Sequence, residues 1–301
     1  MKLTLRFVPD GELGCALDRV PELAACRDKT GLFLDLDAGD PKVVVFLDLA
    51  RARGSVHVLF FWSFSAAELE AAPAVRLLLR GPLVRESAPD IRANESALTA
   101  LPVGTSLDGM IGSRWLSEIR LSAWKERPGK LCGLGGLPNH WLLERPTAEA
   151  FASGLSGITL GVVRDRTGAP RTSPVLLVTG HRASPCSRLA TYGQRAGEFV
   201  RLIGPLAYEN TDALAEHDLW RSDEGWSDQN VGELLLSARA YARWRSLELT
   251  GAAFEPVYEC GAENAREVQR RLVALATAFE GVPGIDIIAP LKVLLSSNHG
   301  H

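Results

Sequence analysis

The most continuous strand-like patterning lies between Gly31 and Phe64, where apolar residues alternate with polar ones or follow one another without a break. Side chains of a strand point alternately to its two faces, so this pattern predicts three consecutive β-strands. Turn-forming residues at 38–41 favour a hairpin between the first two strands, which sets Asp37 opposite Lys42. The third strand is apolar on both faces, which is typical of a central strand. We therefore predict an antiparallel β-meander over residues 31–64.

Three carboxylates, those of Asp35, Asp37 and Asp48, fall on one face of the predicted meander. Clustered carboxylates can bind a divalent cation. In the hairpin register, however, Asp48 lies about four strand positions from the residue opposite Asp35, which is roughly 13 Å along the sheet. We therefore expect the solvated face of a structural sheet here, and no metal site.

The pattern changes near residue 145, because strand-like and helix-like segments alternate in the rest of the chain. Apolar residues recur at helical spacing over 229–249 and 263–279, which predicts two long amphipathic helices. The expected fold is mixed α/β (α+β), with a meander-containing N-terminal portion, residues 1–145, and a C-terminal α/β portion, residues 146–301. The two portions are also compatible with one continuous domain.

Composition narrows the classes of function without selecting one. The 301 residues carry a net charge of −3, which gives no electrostatic support for nucleic-acid binding, and 46% of them are hydrophobic, as in ordinary globular proteins. No apolar run reaches the ~18 residues of a membrane helix, and the N-terminus has a strand pattern without the apolar core of a signal peptide. We therefore expect a soluble cytoplasmic protein that contacts neither a membrane nor a nucleic acid.

The five cysteines are widely spaced, and no two of them form a CxxC pair. This spacing indicates neither a zinc site nor a disulfide framework, and it favours a reducing compartment. Arginine greatly outnumbers lysine beside frequent Ala, Gly, Leu and Val, a composition typical of a bacterium with a GC-rich genome. No cofactor motif of known spacing is present, so no cofactor is predicted.

A glycine-dense segment over 132–141 ends in His140 and Trp141. A glycine-rich loop can expose backbone N–H groups to a phosphate, but no Gly-Lys-Ser/Thr follows this one. We expect a tight structural loop that packs Trp141 against the core. If the N-terminal portion holds a ligand, His140 and Trp141 are its predicted contacts.

Cys260 and His181 are the candidate catalytic residues, because each follows a predicted strand. A thiol nucleophile needs a nearby imidazole to take its proton, and the ends of neighbouring strands bring such groups together in α/β folds. The alternative interpretation is a buried, inert cysteine and a histidine in a loop.

The segment 216–228 is the most unusual loop, because it combines five carboxylates with one histidine and two tryptophans. Its candidate binding residues are His217, Asp218, Trp220 and Trp226. Exposed tryptophan beside charge is typical of an interaction surface, whereas an Asp/Glu/His cluster can bind a cation or perform acid–base chemistry. A third interpretation is a solvated acidic loop that the tryptophans anchor on the core.

Two classes of function follow from these observations. The first is a non-catalytic cytoplasmic protein that binds another protein or other macromolecule, as an adaptor, an accessory or immunity-type factor, or a subunit of an assembly. The second is a hydrolase that uses Cys260 as nucleophile and His181 as base, or acid–base groups of the 216–228 loop. The distance between the Cys260 thiol and the His181 imidazole discriminates between them, because proton transfer requires hydrogen-bond reach.

Overall fold

The computed structural model describes most of the chain, namely residues 1–102, 114–137, 139–183, 204–222 and 232–285, and the backbone of 191–192 and 201–202. These residues form one three-stranded sheet, two six-stranded mixed sheets and a two-stranded pair. Helices pack beside the sheets, so the predicted mixed α/β fold is confirmed.

The N-terminal sheet is built on the first strand of the chain. Strand β1 (Lys2–Pro9) lies between β2 (Leu34–Asp37) and β3 (Val56–Ser63), and both pairings are antiparallel. The first three helices are α1 (Gly11–Leu17), α2 (Pro21–Ala24) and α3 (Lys42–Arg53). Apolar residues of these helices and of the inner sheet face form one hydrophobic cluster.

The middle strand of the predicted meander is wrong, because helix α3 occupies that part of the chain. Residues 43–49 are apolar at nearly every position, so they fit a strand period and a helical period equally well. The buried side chains of the helix follow the spacing of one helix face: Val43, Phe46, Leu47 and Ala50. Packing of that face against the inner side of the sheet selects the helix, and β1 takes the central position between β2 and β3.

The remaining strands form two mixed sheets of six strands. The first has the spatial order β5 (Leu83–Val84), β7 (Cys132–Leu134), β8 (Trp141–Leu143), β10 (Val175–Val178), β9 (Thr159–Arg164), β6 (Glu118–Arg120). The second has the order β11 (Arg182–Ala183), β15 (Leu219–Ser222), β16 (Leu234–Ser237), β4 (Ala74–Leu79), β17 (Ala252–Glu259), β14 (Ala207–Tyr208). The separate pair consists of β12 (Thr191–Tyr192) and β13 (Arg201–Leu202).

The helices between these strands are short, except for two. They are α4 (Ala66–Glu70), α5 (Ala88–Ala100), α6 (Arg145–Ala152), a 3-10 helix (Asp212–Ala215), α7 (Ala238–Ser246) and α8 (Glu263–Ala278). Helix α8 confirms the second predicted long helix. The first, predicted over 229–249, is wrong at Leu234–Ser237, which form strand β16, and its residues 229–231 lie outside the described part of the chain. The Ser237 hydroxyl accepts the Ala240 N–H and so caps α7 directly after the strand.

Strands from both predicted portions share one sheet. Strand β4, from the first portion, lies between β16 and β17 from the second. Helix α8 packs in the N-terminal cluster, where the ring centroids of Phe279 and Phe7 are 6.3 Å apart. A division at residue 145 stays a prediction, and these contacts show that the two portions are interleaved.

The two six-stranded sheets meet where three chain segments approach one another closely. The Gly81 N–H donates to the Gly251 carbonyl at 2.6 Å, and the Leu131 N–H donates to the Thr250 carbonyl at 2.8 Å. A Cβ atom on Gly81 would lie 2.1 Å from the Leu131 carbonyl oxygen, so a side chain has no room there. Gly251 has a φ of +87°, in the left-handed region that favours glycine.

Candidate functional site

The two predicted catalytic residues lie beside strands that are not neighbours in their sheet. His181 directly precedes β11 and Cys260 directly follows β17, and strands β15, β16 and β4 lie between those two strands. Cys260 packs against the N-terminal cluster, whereas His181 stacks on His217. The Cys260–His181 hydrolase mechanism therefore has no geometric support.

His181 instead contacts the segment 216–228, which was predicted as a separate binding loop. The rings of His181 and His217 are stacked with centroids 3.5 Å apart, and Trp220 lies 5.7 and 5.1 Å from them. Burial, and then the charge of His217, lower the pKa of His181. Trp220 is only 7% exposed, and its indole N–H donates to the carbonyls of Leu214 and His217. Trp220 thus anchors the segment on the core, and Trp226 lies outside the described residues.

Asp218 is a structural centre. Its buried carboxylate accepts hydrogen bonds from the Ser156 N–H at 2.7 Å, the Ser237 hydroxyl at 2.7 Å and the Arg239 guanidinium at 2.9 Å. Burial raises the pKa of this carboxyl, but the bonds from Arg239, Ser156 and Ser237 outweigh burial and hold the pKa well below its usual range. Asp218 therefore joins strands β15 and β16 to the loop after α6, and its oxygens are occupied by the protein itself.

His140 and Trp141 are also core residues. The His140 side chain is fully buried, its Nε2 accepts the Leu116 N–H at 3.1 Å, and its ring stacks on Trp115. Trp141 begins strand β8, which pairs with β7. The described part of the glycine-dense segment therefore begins in strand β7 and ends at the start of β8, and Trp141 is buried in the core, as the structural-loop interpretation predicted.

One buried carboxyl was not singled out from the sequence. Glu233 lies beside Arg76 and Glu255, whose side chains form a buried ion pair with each other. Burial raises the pKa of Glu233, and the charge of Arg76 and a hydrogen bond from Asn139 offset only part of this effect. Its Oε2 atom is buried and has no hydrogen-bond partner among the described residues. Burial in this cluster therefore favours the neutral form of Glu233 more than exposure to water would.

We expect Glu233→Gln to gain stability over the wild type as the pH rises. A carboxyl with a raised folded-state pKa stabilises the fold below its unfolded pKa, ~4.3, and this contribution is lost as the pH rises through the folded value. Glutamine is neutral throughout, so it avoids the loss. Urea denaturation of both chains at a series of pH values between about 5 and 8 measures the difference. A difference that stays constant over this series contradicts the assignment.

The prediction of β3 as a central strand covered on both faces is wrong, because β3 lies at an edge of the N-terminal sheet. The inner face packs in the core, whereas the apolar residues of the outer face belong to none of the described hydrophobic clusters. Those outer residues are Val8, Phe33, Leu59 and Phe61. The same face also carries polar residues, among them Thr4, His57 and Ser63, as an antiparallel sheet that faces water normally does.

Arg6 stands at the centre of this outer face. Its guanidinium donates two hydrogen bonds to Asp35, at 2.7 and 2.6 Å, and lies 5.1 Å from the Phe33 ring centroid and 5.2 Å from that of Phe61. The hydrogen bond to Asp35 raises the pKa of Arg6. We call this outer face the open face: four apolar side chains surround the Arg6–Asp35 ion pair, with polar residues toward the edges of the face.

No protein-family model matches the chain, and a search of curated proteins found no match. Within the described ranges, no three His, Cys, Asp or Glu side chains are arranged to hold a metal ion. No described helix is long and apolar enough to cross a membrane. The geometry of the open face is therefore the basis for the function proposed below.

Proposed function

We propose that this protein acts without catalysis, by binding another protein through the open face of its N-terminal sheet. One observation carries the proposal. Aromatic and aliphatic side chains from β1, from β3 and from the residue before β2 gather on a sheet face that no described hydrophobic cluster covers. Aromatic residues and arginine are the side chains that most often dominate the energetics of protein interfaces.

The charge of the open face favours a protein over a nucleic acid as the partner. Arg6 is paired with Asp35, and Lys2 lies 3.1 Å from Asp37 at the edge of the same face. Each cation thus has a carboxylate beside it, so the face offers no net positive potential to a phosphate backbone. Aromatic rings around a neutralised arginine suit a largely apolar protein surface with a few polar groups.

The proposal includes a reducing compartment, such as the cytoplasm. Among the described residues, Cys15, Cys26 and Cys132 are free thiols. Free thiols persist where the compartment keeps cysteines reduced. An adaptor, an accessory or immunity-type factor, and a subunit of an assembly all fit this mode of action.

Phe61→Thr tests the proposal, because it removes a ring from the open face and keeps a side chain that favours strands. We expect recovery of the partner from host-cell extract to fall at least about tenfold, as for loss of an interface hot spot. Quantitative mass spectrometry of cross-linked complexes, with the purified wild type and the variant as baits, provides the measurement.

Val162→Thr is the matched control, because Val162 is an exposed apolar residue of strand β9 in another sheet. It should recover the same proteins in the same amounts as the wild type. Equal recovery by the Phe61 variant, with its fold intact by circular dichroism, would show that the open face does not hold the partner.

A further inference from the structure

Cys26 and Lys42 bring a thiol and a primary amine into contact. The Lys42 ammonium donates to the Cys26 sulfur at 3.5 Å, and the Cys26 thiol donates to the Glu22 carbonyl at 3.3 Å. Cys26 follows helix α2 and Lys42 is the first residue of helix α3, so the two residues flank strand β2. An amine beside a cysteine can bond to its sulfur once the sulfur has been oxidised.

Both groups are accessible to a small oxidant. The Cys26 side chain is half-buried beside the N-terminal hydrophobic cluster. The Lys42 side chain is 37% exposed, and its one ion pair among the described residues is long, at 4.0 Å from Asp40. The fold therefore holds the amine beside the sulfur without burying either group.

The two other free thiols named above lack this combination. Cys15 is exposed on helix α1, but no amine of the described residues donates to its sulfur. Cys132 is fully buried, and burial raises the pKa of its thiol. Burial thus disfavours the thiolate of Cys132, which is the form that oxidants attack.

We infer that Cys26 and Lys42 form a redox-sensitive pair, in which oxidation of the thiol by hydrogen peroxide leads to a covalent sulfur–nitrogen bond. In the first step the Cys26 sulfur takes one oxygen atom from the peroxide and becomes a sulfenic acid, and water leaves. In the second step the Lys42 amine, having lost its ammonium proton, attacks that sulfur, and the hydroxyl group leaves as a second water with a proton from the nitrogen. The sulfur is oxidised, the peroxide is reduced, and the thiol and the amine lose one hydrogen atom each.

Proximity makes the Lys42 amine the favoured partner of the oxidised sulfur. The effective concentration of a well-positioned group far exceeds that of thiols in solution. The bond is also reversible, because a thiol that attacks the Cys26 sulfur releases the amine, and a second thiol reduces the resulting disulfide. The inference rests on the Cys26–Lys42 contact and does not require the partner protein proposed above.

Peptide mass spectrometry of the full chain after treatment with hydrogen peroxide tests the inference. Trypsin separates the two residues, because it cuts after Arg27 and Lys29. In the wild type we expect peptide 20–27 joined to peptide 30–51, with two hydrogen atoms fewer than the two peptides together and no cleavage after Lys42. Dithiothreitol added before digestion should remove the cross-link.

Lys42→Arg keeps the positive charge and removes the primary amine. In this variant we expect no cross-link, and dimedone, a reagent that labels sulfenic acids, should label Cys26 at least about fivefold more than in the wild type. Lys29→Arg is the matched control, because Lys29 is close to Cys26 in the sequence but does not donate to its sulfur. It should form the cross-link in the same yield as the wild type.

A wild type in which Cys26 keeps its thiol while Cys15 is oxidised overturns the inference. Equal labelling of Cys26 by dimedone in the wild type and in Lys42→Arg also overturns it, because the amine would then not capture the oxidised sulfur. Partner recovery by the Phe61 variant is a separate readout, so failure of the proposed function and failure of the redox-sensitive pair are distinguishable.

Discussion

Asp218→Asn should destabilise the protein by about 3 kcal/mol, because it leaves hydrogen-bond donors around a buried site without their charged acceptor. The Asp218 side chain is 3% exposed and accepts from the Ser156 N–H, the Ser237 hydroxyl and the Arg239 guanidinium. Asparagine has nearly the same shape, so the loss measures charge and hydrogen bonding, not packing. Urea denaturation at neutral pH gives the difference in the free energy of unfolding.

The pH dependence separates this prediction from a general loss of packing. The Asp218 pKa is lowered in the fold, so its stabilisation is present above the unfolded pKa, ~3.9, and is lost as the pH falls below it. The difference in the free energy of unfolding between the wild type and Asp218→Asn should therefore become smaller at acidic pH. Asp165→Asn is the control, because Asp165 also has a lowered pKa but sits in an exposed turn, and it should change the free energy of unfolding far less than Asp218→Asn does. A difference in the free energy of unfolding that does not change with pH would contradict the role assigned to the charge of Asp218.

Gly81→Ala should destabilise the protein by about 3 kcal/mol or more, because the new methyl group collides with backbone and not with a movable side chain. A Cβ atom at Gly81 would lie 2.1 Å from the Leu131 carbonyl oxygen and 3.0 Å from the Gly251 Cα atom. Both neighbours are fixed, since the Gly81 N–H donates to the Gly251 carbonyl and the Leu131 N–H donates to Thr250. Relief of the collision requires the two six-stranded sheets to separate at their junction.

Gly180→Ala is the matched control for this substitution, because no atom of the described residues lies within 4 Å of a Cβ built at Gly180. It should change the free energy of unfolding by less than about 0.5 kcal/mol. Thermal denaturation followed by circular dichroism compares the two variants with the wild type. Equal midpoints of thermal denaturation for Gly81→Ala and Gly180→Ala would contradict the prediction, because they would show that the contact between the two six-stranded sheets accommodates the methyl group without loss of stability.

Several elements were accessible from the sequence because local signals agreed with the final packing. Helix α8 follows the predicted apolar spacing, and helix α4 begins at a capping box of Ser65 and Glu68, whose spacing is a local sequence signal. Strand β3 was recognised from its run of β-branched and aromatic residues. In these cases propensity, periodicity and capping point to one conformation.

Other assignments required the tertiary structure, because local pattern permitted more than one answer. The run 43–49 fits helix and strand alike, and only its packing against the inner sheet face selects α3. Both faces of β3 carry apolar residues, which predicts a strand that is covered on both sides. Only the strand order shows that β3 lies at the edge of the sheet. Likewise, His181 and Cys260 each follow a strand, but strand order separates them.

The sequence by itself determined the mixed α/β class, the long helix α8 and the strand character of β3. The tertiary structure alone decided that Asp218 and Trp220 serve the core, and that the open face lies around Arg6. The physical reason is that periodicity records which residues share a face of an element. Whether that face meets core, solvent or a partner depends on sheet order and on contacts between residues far apart in the chain, which local pattern does not encode.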